Sequence, residues 1–187
     1  MSLPAPSALG PADYLALERE GEQRHELVEG ERVALAGASL NHVRIVGNVF
    51  ASLRRQLETG DCEAFGGDLK VHVPATGLFA YPDLSVVCGP IETYDRLRDV
   101  VLNPTLLVEV LSPSTEAFDR GAKFAQYRAL PSLQGYLLIS QDRITVEHYG
   151  RGEDSWRLRT ADRLRQTLAL PEIGASLSLA AVYQRIF

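Results

Sequence analysis

From Pro104 to Leu111 the chain is apolar apart from Thr105 and one charge, Glu109. Bounded by Pro104 and Ser112-Pro113, this run predicts a strand covered on both faces. Side chains of a strand alternate faces. Leu106, Val108 and Val110 therefore share one side, and Leu107, Glu109 and Leu111 the other. Upstream, Tyr81–Cys88 reads as a second short buried strand. Asp83 stands at its start, after a proline that a first strand position tolerates. Downstream, Ser112-Pro-Ser-Thr115 signals a helix over Glu116–Leu130, stopped by Pro131. Asp119, Lys123 and Tyr127 are spaced four apart and form one stripe of it.

The remaining pattern extends the picture in both directions. Pro11–Glu20 predicts a short helix ended by Gly21, and His25–Leu35 a hairpin turning at Glu29-Gly30. Ser39–Gly60 has the strongest helical period, with His42, Ile45, Val46, Val49, Leu53 and Leu57 on one face. Cys62–Pro74 alternates as one strand, a Gly77 turn follows, and Gly89–Asn103 is a connection with a short helical piece. Strand patterns recur at Gln134–Ser140, Arg143–Tyr149, Trp156–Arg159 and Arg163–Leu170. Ser178 is placed to cap a terminal helix through Ile186, and the proline- and alanine-rich residues 1–10 are expected to be flexible. The sum is α+β: a mixed central β-sheet flanked by helices, with added β-hairpins, in one domain spanning 1–187.

Charge on this scaffold raises the chemical question. An isolated buried carboxylate costs several kcal/mol unless it is paired or holds a metal, so Glu109 needs a partner. The alternatives are an edge strand with one wet face, or a structural bridge to an arginine. A helix directly after a strand can pack back over the sheet and bring Lys123 towards Glu109. Taken alone, Asp119 and Lys123 read equally well as a surface ion pair worth a few tenths of a kcal/mol. Glu26 opens the predicted hairpin as either an exposed strand-end glutamate or a cleft residue. His42 is either a packed, hydrogen-bonded histidine or a phosphate contact at a cleft rim. His25 lacks the HExxH spacing of a zinc protease.

Pro82-Asp83, then Val108-Glu-Val-Leu-Ser-Pro-Ser-Thr115, then Asp119-x-x-x-Lys123-x-x-x-Tyr127, resemble the bacterial Uma-two group of restriction-endonuclease-like proteins. Arg24-His-Glu-Leu-Val-Glu-Gly-Glu31 and His42 also fit the group's pattern. That group belongs to the PD-(D/E)xK nuclease superfamily. The resemblance implies a restriction-endonuclease-like core and Asp83 and Glu109 as metal ligands. It also implies an acidic residue at Glu26 in the same cleft, and a homodimer. The superfamily's lysine stands two residues after its acidic residue, where this chain has Leu111. The resemblance therefore implies that the lysine has moved to the following helix, as Lys123.

Composition narrows what such a site acts on. The 187 residues are 45% hydrophobic, ordinary for a globular chain. No apolar run approaches the roughly 18 residues of a membrane span, so a cytoplasmic, non-membrane protein is expected. Cys62 and Cys88 have neither CxxC nor metal spacing and are expected to be reduced, core-packed thiols. Net charge is −5 and the pI about 5.4. Any grip on DNA must then come from a local basic patch, such as Arg54-Arg55, Arg96/Arg98 or Arg157 to Arg165. Asp83, Glu109 and Lys123 make chemical sense together around Mg²⁺ (or Mn²⁺ in vitro), which takes oxygen ligands and polarises a phosphodiester. That points to a magnesium-dependent endonuclease acting on DNA. Two other readings keep the fold: a weak or inactive module for nucleic-acid binding or assembly, and a hydrolase of small phosphorylated molecules.

Overall fold

In the computed structural model, which describes residues 8–187, the run around Glu109 forms β8 (Leu106–Leu111), buried at every position. It lies inside a six-stranded sheet ordered β11-β10-β9-β8-β6-β3. The other strands of that sheet are β3 (Cys62–Gly66), β6 (Leu84–Cys88), β9 (Gly135–Ser140), β10 (Val146–Arg151) and β11 (Trp156–Ala161). A second, five-stranded sheet is ordered β2-β1-β5-β4-β7, from β1 (His25–Val28), β2 (Glu31–Ala34), β4 (Lys70–Val73), β5 (Leu78–Ala80) and β7 (Val100–Val101). Both sheets are mixed: β8 and β9 run parallel, as do β4 and β7, while the other pairs are antiparallel. The six-stranded sheet is the expected mixed central sheet; hairpins added to it assemble into the second sheet and into a separate ribbon of β12 (Thr167–Leu170) and β13 (Ala175–Ser178).

The alternation along β8 builds two distinct cores. Leu106, Val108 and Val110 pack with Ile45, Val49 and Leu53 of α2 (Leu40–Leu57) and with the β12–β13 ribbon. Leu107 and Leu111 face the other way, into a layer with Phe124, Tyr127 and Tyr136 and with Val71, Val73, Leu78 and Ala80 of the second sheet. Each such leucine or valine contributes roughly 1.5–3 kcal/mol on burial. Glu109 therefore sits on the face between the two sheets. A small third core joins Tyr14 and Leu15 of α1 (Pro11–Glu20) to Leu27, Phe79 and Val100.

The hairpin of β1 and β2 turns at Glu29 and Gly30, both with positive φ, the geometry a two-residue hairpin loop requires. Residues 1–7 of the flexible stretch expected over 1–10 lie outside the described residues; Leu9 donates its N–H to Gly30 O at 2.9 Å. Cys62–Pro74 is not one strand. Gly66-Gly67-Asp68 breaks the alternation, sending β3 into one sheet and β4 into the other. Between Gly89 and Asn103 the expected helical piece is replaced by β7 and a bridge from Thr93 to Val101. At the C-terminus, Ser178 stands at the N-cap as expected, but the helix it starts, α5 (Leu179–Val182), is a single turn and does not run through Ile186.

Cys62 and Cys88 are not free thiols: they form a disulfide between β3 and β6. The two residues are direct cross-strand partners with Cα atoms 3.9 Å apart, a relation that register creates and linear spacing does not reveal. Closing a loop of this size stabilises a fold by about 2–4 kcal/mol. Reduction, or Cys62→Ser, is expected to lower the melting temperature by roughly 5–10 °C. A differential scanning measurement with and without reductant reads it, and no shift would mean that the bond contributes nothing to stability.

Candidate active site

Three elements carry carboxylates to the end of β8. Leu84 at the start of β6 pairs with Val108, which sets Asp83 beside the last residues of β8. Asp83 Oδ2 accepts the Val110 N–H at 2.6 Å, and Oδ1 lies 2.8 Å from His42 Nε2. Glu26 comes from β1 of the other sheet, where its Oε1 accepts the Tyr81 N–H at 3.0 Å. Glu109 comes from β8 itself.

The cation among them is Lys123. The segment after β8 runs as α3 (Glu116–Phe118), a π-helical turn (Asp119–Lys123) and α4 (Phe124–Tyr127), where an uninterrupted helix to Leu130 was expected. Such turns widen a helix by one residue and are frequent at functional sites. The Tyr136 hydroxyl donates to the carbonyl of Asp119 within it. Lys123 Nζ lies 2.9 Å from Glu26 Oε1, 3.0 Å from Glu109 Oε1 and 3.6 Å from Asp119 Oδ1. All four side chains are only 5–6% exposed, which rules out a solvated surface pair and a strand-end glutamate in water. Tyr127 completes the group, its hydroxyl donating to Glu109 Oε1 at 3.1 Å.

Three acidic side chains surround one ammonium, so acids outnumber cations in the cluster. Burial pushes the Glu109 carboxyl well above the usual carboxylate range; Lys123 opposes this, while Asp119, Asp83 and Glu26 add to it. Asp119 is raised chiefly by burial as well. For Lys123, burial works against the charge, but Glu109, Glu26 and Asp119 outweigh it and hold the ammonium well above an ordinary lysine. Burial, then the adjacent Glu109, raises the Tyr127 phenol.

The cluster opens into a cleft of about 770 Å³. His42 stands on its wall near the start of α2, where Ser39 caps the helix by accepting the His42 N–H at 3.1 Å. Ser39 also donates to Gln141 Oε1, and Gln141 Nε2 donates to Leu111 O at 2.9 Å. This chain of bonds ties the start of α2 to the end of β8 and so fixes His42 against Asp83. Gln141 and the Ser39 link were not expected from sequence, since nothing in a polar turn announces a partner on a distant helix. Tyr127 had a signal in the Asp119-Lys123-Tyr127 spacing. The expected basic patches do not line this cleft. Arg54 pairs with Glu63 at 3.2 Å, and Arg159 bonds His148 and Ala169 O on the opposite face of the sheet.

Residues 11–181 match the pattern of the Uma2 family, described as "putative restriction endonuclease". The chain belongs to the Uma2 family. Two Synechocystis sp. proteins, slr1290 and sll1609, whose names assign no function, are each 36% identical to it. The first match covers 98% of this chain and 95% of the relative, the second 80% and 85%. A crystal structure described as a "putative nuclease belonging to DUF820", from Anabaena variabilis, superposes with a TM-score of 0.74 over 94% of this chain and 98% of that one. At 19% identity that likeness speaks for the fold. The Uma2 chain thus has an α+β nuclease-like fold. No helix of its described residues is long and apolar enough to cross a membrane.

Among the described residues of this Uma2 protein, no three His, Cys, Asp or Glu side chains converge as a ready-made metal cage. The donor chemistry nevertheless fits a hard cation. Magnesium is typically held by one or two carboxylates, with waters and substrate phosphates completing the shell. Asp83 and Glu109 offer such carboxyl groups in a cleft whose acidic residues outnumber its basic ones.

Proposed function

We propose that this protein is a magnesium-dependent endonuclease, one nuclease-like domain that hydrolyses DNA phosphodiester bonds at the cleft formed by Asp83, Glu109 and Lys123. The observation that carries the reading is the buried carboxylate–lysine cluster opening into that cleft, within a family described as "putative restriction endonuclease". Asp83 and Glu109 would hold the ion, with the Val110 carbonyl as a further oxygen. When bound, a divalent ion lowers the pKa of its water and offsets charge on the phosphodiester oxygens.

The chain's own residues do the rest. Lys123, kept protonated by its carboxylates, orients the attacking water and stabilises charge growing on the phosphorus oxygens. Glu26 and Asp119 hold that ammonium in place, and Tyr127 fixes the rotamer of Glu109 through its hydroxyl. His42 steadies Asp83 and stands where a phosphate enters. Leu111 leaves the usual lysine position apolar, so the charge arrives from the helix rather than the strand. A cytoplasmic homodimer, able to present one site to each strand, belongs to the same reading.

Purified protein with plasmid DNA and Mg²⁺ or Mn²⁺ is expected to nick or linearise it, and chelation to stop the reaction. Calorimetry should register metal binding that Asp83→Asn weakens at least tenfold, since losing one of two carboxylate ligands costs on the order of 1.4 kcal/mol or more. Metal binding without cleavage of DNA, together with turnover of mononucleotides, would transfer the site to small phosphorylated substrates. No metal binding at millimolar concentration would leave a nuclease-fold module for nucleic-acid binding or assembly.

A further inference from the structure

The charges lining the cleft do not resemble a DNA-binding surface. Six carboxylates line it, from Glu26, Asp68, Asp83, Glu109, Asp119 and Asp142, against the basic groups Arg24, His42 and Lys123. Lys123 is 5% exposed and surrounded by carboxylates, and His42 is engaged by Asp83. Arg24 differs from both. Its side chain is 52% exposed, and its only carboxylate contact among the described residues is Asp68 at 2.6 Å, itself 96% exposed. A bridge so open to water is worth little, so another anion displaces it at small cost. The guanidinium lies over the Tyr81 ring, 5.7 Å from its centroid, and Nη1 also donates to Gly67 O at 3.3 Å. A guanidinium held over an aromatic ring is pre-set to offer its donors to an oxyanion.

Arg24 directly precedes β1, two residues before Glu26. Side chains two apart share a strand face at a separation of about 6.7 Å. Arg24 therefore stands beside the Lys123–Glu109 cluster and not within it. We propose that Arg24 is a substrate-binding residue that grips a backbone phosphate neighbouring the scissile one, so that the cleft selects a polynucleotide over a single phosphate ester. This rests on the nuclease reading above and deepens it. It also assigns Asp68 an effect: an exposed carboxylate that competes with the substrate for the same guanidinium.

Single-turnover cleavage of a labelled duplex with Mg²⁺, measured against enzyme and salt concentration, tests the assignment. In Arg24→Gln the half-saturating enzyme concentration should rise about tenfold, and the log–log salt slope should fall by about one, the signature of a lost phosphate contact. The loss should fall on half-saturation and not on the magnesium requirement. Asp68→Asn should shift half-saturation the opposite way, towards tighter binding. If Arg24 merely clamps the Gly66–Asp68 loop against the Asp83 backbone, both variants break the same bridge. They would then weaken magnesium use alike with an unchanged salt slope, which overturns the proposal. A wild-type protein that neither binds nor cuts the duplex with Mg²⁺ or Mn²⁺ overturns the nuclease reading, and this assignment with it.

Discussion

Glu109→Gln is expected to reduce magnesium-dependent cleavage by about 10³-fold, as loss of several kcal/mol of metal-borne stabilisation implies. It is expected at the same time to make the metal-free protein more stable above neutral pH. The second half follows from the direction of the Glu109 shift. Burial raises this carboxyl well above its ordinary value, with Asp119, Asp83 and Glu26 reinforcing and Lys123 opposing. Between the unfolded value near 4.5 and the raised folded one, the native state binds more protons than the unfolded chain. The contribution of Glu109 to stability is therefore fully present at low pH and declines as pH rises through that window. Glutamine does not titrate, and its amide still offers an oxygen to Lys123 and Tyr127. The difference in melting temperature, variant minus wild type, should be near zero at about pH 5 and grow with pH. Saturating Mg²⁺ should reverse it by stabilising the wild type alone. Thermal unfolding across pH, with and without metal, reads both. A variant that cuts normally, or that is less stable at every pH, would falsify the assignment of Glu109 as a strained metal ligand.

Much of this was legible in the chain because one strand dictates so much. A single acid in an apolar run, read with the alternation of a strand, separates Leu106, Val108 and Val110 from Leu107 and Leu111, and those sets became the two cores. The α2 face and the Glu29-Gly30 turn were equally local and equally readable. What the pattern could not supply was anything set by register between distant strands. Cys62 and Cys88 meet because β3 pairs with β6, and Glu26 is buried because β1 belongs to a sheet packed over Lys123. The break at Gly66-Gly67 had a visible signal. The alternation on either side of it outweighed two glycines, although an added Cβ at Gly67 would lie 3.3 Å from Asp83 O and keep the loop off the site. The π-helical turn left no trace at all, since Asp119 and Lys123 fit an ordinary helix equally well at spacing four.

Lys123→Met should be the most damaging single change to stability. It leaves Glu26, Glu109 and Asp119 facing one another with no cation between them, and removing one partner of a buried charge group costs about 3–5 kcal/mol. For a chain of this length that corresponds to a fall of roughly 6–20 °C in melting temperature. The cause can be separated from a simple packing defect in two ways. Lowering the pH towards 5 should restore stability in the variant, because Glu109 and Asp119, already raised by burial, are neutralised by protons where the ammonium is missing. Adding Glu109→Gln should also recover part of the loss, since the two sites share one charge balance and their effects do not add. A cavity or misfit would respond to neither. Lys123→Arg is not expected to rescue, because a planar guanidinium cannot replace a compact ammonium among three converging carboxylates. If Lys123→Met melts within a degree of wild type at neutral pH, the lysine is not what holds these acids together, and the charge balance proposed for the site is wrong.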